Sequence, residues 1–231
     1  MAGFQVDGLT MRRPIRVFSD FDGTISAKDV GASLFNHFSA KRNSGTVKLW
    51  IEQKISSREC LWRECHYITA TRQEMVEALN RIEIEAGFAE FVELLSSRAI
   101  PLHIVSDGLD FYIDAFMSRA GFSGLDTHAN KAHFVNGSLY PSFPYYARGC
   151  GYCGTCKGER VRALSQSGEL TVYIGDGFSD RCAVGVADVL FARGDLVKLA
   201  QEKQVDWLPF ANFYDIVDYF KTNLLTEQIA I

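Results

Sequence analysis

Short apolar runs rich in β-branched residues recur along the chain at Ile15–Ser19, 101–106, Leu170–Gly175 and 188–192, and segments with helical spacing of apolar residues separate most of them. Strands joined through helices lie parallel, and a parallel sheet must be covered on both faces. The rhythm therefore predicts an α/β chain built on a Rossmann-like, doubly wound parallel sheet. Helices are expected over 87–98, 110–121, 157–166, 179–186 and 212–223. Between the first two runs, residues 26–83 read as helix with almost no strand signal. That stretch predicts a small helical cap domain at 26–83 inserted into a catalytic core formed by 1–25 and 84–231. Residues 128–144 break the pattern. Ala132-His133-Phe134-Val135, Asn136-Gly137 and Ser138-Leu139-Tyr140 read as a β-hairpin insertion with a type I′ turn.

Composition narrows the function classes. A chain of 231 residues that is 47% hydrophobic can bury a sizeable core. A formal net charge of −4 without a basic block argues against nucleic acid as a partner. Residues 1–14 are polar throughout and lack an apolar core of signal-peptide length, and no later window suits a membrane span. The expectation is a cytoplasmic protein with no membrane partner, suited to small-molecule chemistry. Six cysteines are too few to staple a chain of this size, and three of them crowd into one segment.

Four stations carry the chemistry, each at the end of a predicted strand or the start of a helix. The first is Asp20-Phe21-Asp22-Gly23-Thr24-Ile25, directly after the first apolar run. Carboxyl ends of strands are where open α/β sheets bind ligands. Strand alternation lets Asp20 and Asp22 share a face, and two carboxylates about 4 Å apart repel by roughly 4 kcal/mol at an effective dielectric near 20. A hard divalent cation relieves that repulsion. The second station, Ser106-Asp107-Gly108, offers a hydroxyl and backbone N–H groups to phosphate oxygens ahead of a helix. The third is Lys157, a compact cation able to hold a phosphate oxygen and a nucleophilic carboxylate. The fourth, Gly175-Asp176-Gly177-Phe178-Ser179-Asp180, returns two more carboxylates to the same sheet edge. Carboxylates, a substrate phosphate and retained waters are what magnesium, Mg2+, takes as ligands.

In these four stations the chain resembles the haloacid dehalogenase superfamily of phosphatases, over a core from about 15 to 192. The resemblance implies an aspartyl-phosphate mechanism, with Asp20 as nucleophile and Asp22 as acid and base. It also implies magnesium held by the Asp20 side chain, the Asp22 backbone carbonyl and the Asp176 side chain, with Asp180 as a second-shell or alternative ligand. Ser106, Asp107, Gly108 and Lys157 would hold the phosphate of the substrate, a small phosphorylated metabolite. The helical insertion resembles the cap of the phosphoserine phosphatase subgroup. Asp29 stands nine residues past Asp20, where those enzymes carry a glutamate against the substrate ammonium, and it is equally an N-cap for the helix that follows. Ser106-Asp107-Gly108 departs from their Ser-Gly-Gly. A closer resemblance is to the methionine-salvage phosphatases of 2-hydroxy-3-keto-5-methylthiopentenyl-1-phosphate, which share the hairpin, the cysteine-rich stretch before the lysine and a late Phe-Ala-Arg, here Phe191-Ala192-Arg193. Phosphoethanolamine/phosphocholine phosphatases are a third relative. A phosphotransferase, or a non-catalytic phosphate-binding protein on the same fold, stays open beside the hydrolase.

The segment Cys150-Gly151-Tyr152-Cys153-Gly154-Thr155-Cys156-Lys157 has three readings. Cys150, Cys153 and Cys156 could hold zinc, Zn2+, with Cys182 or a histidine as fourth ligand. They could form a redox-sensitive pair beside a cation, or simply pack in a glycine-rich loop. In the predicted cap, Trp50 and Trp62 read as packing residues, Arg58 and Arg63 as a solvated face, and Lys54 as a further cation. His103, inside an apolar run, reads as a satisfied core histidine.

Overall fold

The computed structural model describes residues 13–225. The polar start expected for 1–14 therefore lies outside the described residues as far as 12. Seven strands form one sheet: β1 (Ile15–Ser19), β2 (Leu102–Leu109), β3 (Asp126–Val135), β4 (Ser138–Ser142), β5 (Leu170–Gly175), β6 (Val189–Ala192) and β7 (Leu208–Pro209). Their order is β4-β3-β2-β1-β5-β6-β7, parallel throughout except for the β3–β4 hairpin. The doubly wound sheet expected from the sequence is the fold observed.

Alternation explains why the strands read as continuous apolar runs. Along β1, Val17 enters the core on one face and Phe18 the core on the other; along β5, Val172 and Ile174 flank Tyr173 in the same way. All five are fully buried. The first face is covered by α5 (Phe88–Ser97), α6 (Asp110–Arg119) and α9 (Phe213–Tyr219), and the second by α7 (Lys157–Leu164) and α8 (Gly194–Glu202). Aromatic rings lock the first layer: Phe91 lies 5.3 Å from both Phe213 and Phe220.

Between β1 and α5 the chain forms α1 (Val30–Phe38), α2 (Ser44–Ile51), α3 (Ser57–His66) and α4 (Arg72–Ala78). Departure and return are stitched together: Ser26 and Ile84 form an antiparallel bridge, and Ala27 N–H donates to Glu83 O at 2.9 Å. Leu34, Leu61, Met75 and Leu79 of this insertion join the same apolar core as Phe21 and Phe116.

Three local expectations are corrected. Residues 179–186 are not an α-helix but a 3-10 turn, Phe178–Cys182, because both Asp180 oxygens are engaged and Oδ2 accepts from the backbone N–H of Asp176 and Gly177. Ser106-Asp107-Gly108 does not follow β2 but lies within it, where pairing with β3 breaks between Val105 and Leu109. Trp62 does not pack inside; it is 53% exposed and stacks on His66. The hairpin turn has φ of +50° at Asn136 and +78° at Gly137, as a type I′ turn requires.

Truncating Phe91 removes a fully buried ring from a layer with no slack. Phe91→Ala is expected to lose about 3–5 kcal/mol of unfolding free energy in a urea titration.

Candidate active site

β1 and β5 end side by side, so Asp20 and the 176–180 loop emerge together: Asp20 N–H donates to Ile174 O at 2.9 Å. Lys157 opens α7 and reaches between them, its Nζ 2.7 Å from Asp20 Oδ1 and 2.6 Å from Asp180 Oδ1. All three side chains are almost fully buried. Burial opposes the lysine charge, but Asp180 and Asp20 outweigh it and hold the ammonium above its ordinary pKa. Burial and the neighbouring Asp180 charge push Asp20 up as well, above the usual carboxylate range, against the opposing pull of Lys157.

Asp180 uses its whole carboxylate on the protein. Oδ1 accepts from Lys157 and from the Tyr173 hydroxyl at 2.6 Å, and Oδ2 accepts the N–H groups of Asp176 at 3.0 Å and Gly177 at 2.9 Å. Asp176 is less committed: Oδ1 accepts from Thr24 Oγ1 at 2.9 Å. Burial and Asp180 push it up to about 6. Gly23 lets the chain turn beneath it, with φ +75°; a Cβ there would lie 2.5 Å from Asp176 Oδ2.

Oxygen atoms of Asp20, Asp176 and Asp180 lie within 4.8 Å of one another. Three carboxylates around one ammonium leave two negative charges in excess, which is the charge of a divalent cation. The donor set fits magnesium, with Asp20 and Asp176 presenting hard oxygens.

Asp22 is held by a different set of donors. Its Oδ1 accepts the N–H groups of Val30 and Gly31, both at 3.0 Å, and its Oδ2 accepts from the Tyr112 hydroxyl at 2.9 Å. Burial, then repulsion from Asp29, pushes Asp22 up to about 7, against the hydrogen bonds from Gly31 and Tyr112. Tyr112 gets this close because residue 108 is glycine: a Cβ on Gly108 would lie 1.8 Å from its hydroxyl. Ser106 Oγ accepts from Gly108 N–H at 3.0 Å and lies 3.5 Å from Asp22 Oδ2. The Asp107 carboxylate faces protein donors: Ser57 of α3, Thr155 N–H at 2.7 Å and Asn130 Nδ2 at 3.1 Å.

These groups border a cavity of about 190 Å³ beneath the insertion. Asp20, Asp22, Ser106, Gly108 and Lys157 form its floor, and Phe35, Val47, Trp50 and Leu61 supply apolar walls. Asp29 opens onto it while capping α1 through Ala32 N–H at 2.7 Å. The sequence reading missed Glu64, also on this wall. It falls one turn after Cys60 and Leu61 on the buried face of α3, which is the signal that could have found it. Burial, then the nearby Asp29 charge, pushes Glu64 up to about 7 although Asn43 donates to it at 2.9 Å.

Other expected residues lie elsewhere. Arg58 is not a solvated residue but stacks 4.0 Å over the Tyr146 ring. Arg63 pairs with Glu59, and Lys54 pairs with Glu52 at 2.7 Å. His103 bridges Asp126 and Arg16 away from the cavity. Arg193 has a role the sequence did not suggest. It donates to Gly23 O at 2.6 Å and to Glu85 Oε2 at 2.7 Å, tying the 20–25 loop to the return of the insertion.

A family model described as "Putative Phosphatase" matches residues 15–204. The chain belongs to this phosphatase family. A 2-hydroxy-3-keto-5-methylthiopentenyl-1-phosphate phosphatase of Lysinibacillus sphaericus is 32% identical over 215 residues, covering 88% of this chain and 92% of the relative. A protein of the same name from Bacillus cytotoxicus is 30% identical over 210 residues, covering 87% and 94%. Among solved structures, a phosphoserine phosphatase carrying a phospho-aspartyl intermediate analogue superposes with a TM-score of 0.70 at 18% identity, over 91% of this chain and all of that one. That likeness is one of fold, and it agrees with the α/β fold expected from the sequence. No helix among the described residues is long and apolar enough to cross a membrane.

The folded chain holds the Glu64 proton to a higher pH than the unfolded chain, where glutamate titrates near 4.3. Its contribution to stability is complete below that value and lost as pH rises through about 7. Glu64→Gln is expected to stabilise the protein by about 2 kcal/mol at pH 8 relative to its effect at pH 4, allowing for water in the cavity. Thermal melts of both proteins across that range check it.

Proposed function

We propose a magnesium-dependent phosphomonoesterase that acts through a phosphorylated Asp20. The observation that carries this reading is the buried Asp20–Lys157–Asp180 cluster at the floor of a cavity too small for a macromolecule. Residues 26–83 would serve as a cap over a core formed by 1–25 and 84–231, a division supported by the stitched pair Ser26 and Ile84. Six unpaired cysteines support a reducing, cytoplasmic setting.

Magnesium would be held by the side chains of Asp20 and Asp176 and the Asp22 backbone carbonyl, and when bound would neutralise charge on the transferring phosphoryl group. Lys157 and Phe21 N–H both bind Asp20 Oδ1, which leaves Oδ2 as the attacking atom. As the Asp20–phosphorus bond forms, the bond to the leaving oxygen breaks, and that oxygen takes the proton from Asp22. In the second half, Asp22 accepts a proton from water as the water oxygen attacks phosphorus, releasing Asp20 and inorganic phosphate. A carboxyl held near 7 serves both halves at neutral pH. Ser106 and Lys157 would hold the phosphoryl oxygens that do not react.

Cavity chemistry narrows the leaving group. Among the described residues that line it, Lys157 is the sole cation, while Asp29 and Glu64 face the leaving-group side. A leaving group with its own carboxylate, as in phosphoserine, would meet two carboxyl groups and no partner. A neutral tail suits the apolar wall of Phe35, Val47, Trp50 and Leu61. The substrate in the relatives' name has such a tail: a ketone, an enol hydroxyl and a methylthio group. We therefore favour 2-hydroxy-3-keto-5-methylthiopentenyl-1-phosphate. Asp29 beside Trp50 supports a second reading, a cationic amine phosphate such as phosphoethanolamine or phosphocholine.

Phosphate release from these compounds and phosphoserine, with magnesium and with EDTA, decides the matter. The enol phosphate is expected to be turned over fastest and phosphoserine slowest, with all activity lost in EDTA; a preference for phosphoserine would overturn the charge argument. Asp20→Asn is expected to be inactive yet folded. Asp22→Asn should cost about 10²–10⁴-fold on alkyl phosphates. The loss should be much smaller in the first half-reaction with p-nitrophenyl phosphate, read as the burst of p-nitrophenol, because that leaving group needs no proton, whereas the second half still needs Asp22 as base. An equal loss in that burst would remove Asp22 from the acid role.

A further inference from the structure

The second metal expected from the sequence can be argued from the cysteines themselves. The 149–156 loop and the 178–182 turn bring four thiols together from two distant parts of the chain. Cys182 Sγ lies 3.7 Å from Cys150 Sγ and 3.9 Å from Cys153 Sγ. Cys150, Cys153 and Cys182 bring their sulfurs within 4.8 Å of one another, and the same loop carries the buried Cys156 three residues after Cys153. All four are free cysteines.

Those separations are informative. A disulfide needs sulfurs at about 2.0 Å. A tetrahedral zinc thiolate centre, with Zn–S near 2.3 Å, places its sulfurs about 3.8 Å apart. The surroundings are also those of a thiolate centre. Cys153 N–H donates to Cys150 Sγ at 3.5 Å. Four thiolates and one zinc carry two negative charges, and the Arg181 guanidinium lies beside Cys153 and Cys182, whose charges favour its ionised form. Arg181 is held there by stacking 3.6 Å over the Tyr152 ring.

We propose that Cys150, Cys153, Cys156 and Cys182 bind one structural zinc ion, distinct from the carboxylate site. Two of the ligands lie close in sequence to residues of the carboxylate site. Cys156 immediately precedes Lys157, and Cys182 follows Asp180 by two positions. The two segments already touch, since a Cβ on Gly158 would lie 1.9 Å from Cys182 O. The zinc fastens the segment that delivers Lys157 to the segment that delivers Asp176 and Asp180. With all four positions filled by sulfur, the ion has no open site and takes no part in phosphoryl transfer.

The test measures metal and not turnover. The protein is expressed with zinc available, purified under reducing conditions without chelator, and its metal content read by plasma mass spectrometry. Zinc equimolar with chain is expected, released on titration with a mercurial reagent. Cobalt exchanged into the site should give thiolate-to-metal charge-transfer bands. Cys182→Ser should drop zinc to background, while Cys65→Ala, buried in the insertion, should retain it. Where Cys182→Ser fails to fold, the wild-type zinc content and cobalt spectrum decide alone. Zinc-free protein with all six thiols reactive would overturn the proposal in favour of packing, and zinc-free protein with two or more thiols oxidised would overturn it in favour of a redox pair. A zinc-loaded protein that releases no phosphate would leave this site standing and remove the phosphatase reading of the other.

Discussion

Lys157 holds the site together, and it does so from a position that water does not reach. A lone ammonium there would lose its hydration without compensation; this one is flanked by Asp20 and Asp180 at 2.7 and 2.6 Å. Removing one member of such a buried group costs about 3–5 kcal/mol, because the remaining charges stay buried and unpaired. Asp180 matters most here, since the same carboxylate also fixes Tyr173 and the backbone of Asp176 and Gly177. Charge balance still leaves two negative charges at the sheet edge. A divalent cation and a phosphate dianion are thus accommodated in sequence, the first making the second electrostatically acceptable.

The insertion is coupled to the chemistry through hydrogen bonds as well as through shape. Asp22 accepts the first N–H groups of α1 while Asp29 caps the same helix end. Helix N-termini favour negative charge. A shift of α1 would remove two donors from the Asp22 carboxylate and raise its proton affinity further. Ser57 on α3 meets Asp107 in the same way, and Arg193 spans Gly23 and Glu85. Movement of the insertion and the protonation state of Asp22 are therefore linked.

The sheet was legible because β1, β2, β5 and β6 are buried along most of their length and β1 and β5 run directly into Asp20 and Asp176. Asp20, Asp22, Lys157 and Asp176 were legible for the same reason: a strand end or helix start fixes where such a residue goes. The misses have a common physical cause. Residues 179–186 have helical spacing, but the Asp180 side chain takes the N–H groups of Asp176 and Gly177 and sets a tighter turn. Glu64, Tyr112 and the partners of Arg193 depend on contacts between segments far apart in sequence, which spacing along one helix does not encode. Cys182 is intermediate: the sequence offered it as a fourth ligand, and only the fold brings it within 3.7 Å of Cys150.

The two clusters on either side of Lys157 solve one problem with different chemistry. On the substrate side, hard carboxylate oxygens accumulate negative charge that can be relieved reversibly, which suits an ion that must share its ligands with a phosphate. On the far side, the proposed zinc would take soft sulfur ligands, with Arg181 beside Cys153 and Cys182. Lys157 sits at the start of α7 between the two. Its first turn is anchored by Cys156 before it and by the contact of Gly158 with Cys182 after it. A lysine side chain has several rotatable bonds, so a fixed ammonium requires a fixed backbone. Placing the anchor one residue away supplies that rigidity without adding another charge to the catalytic edge.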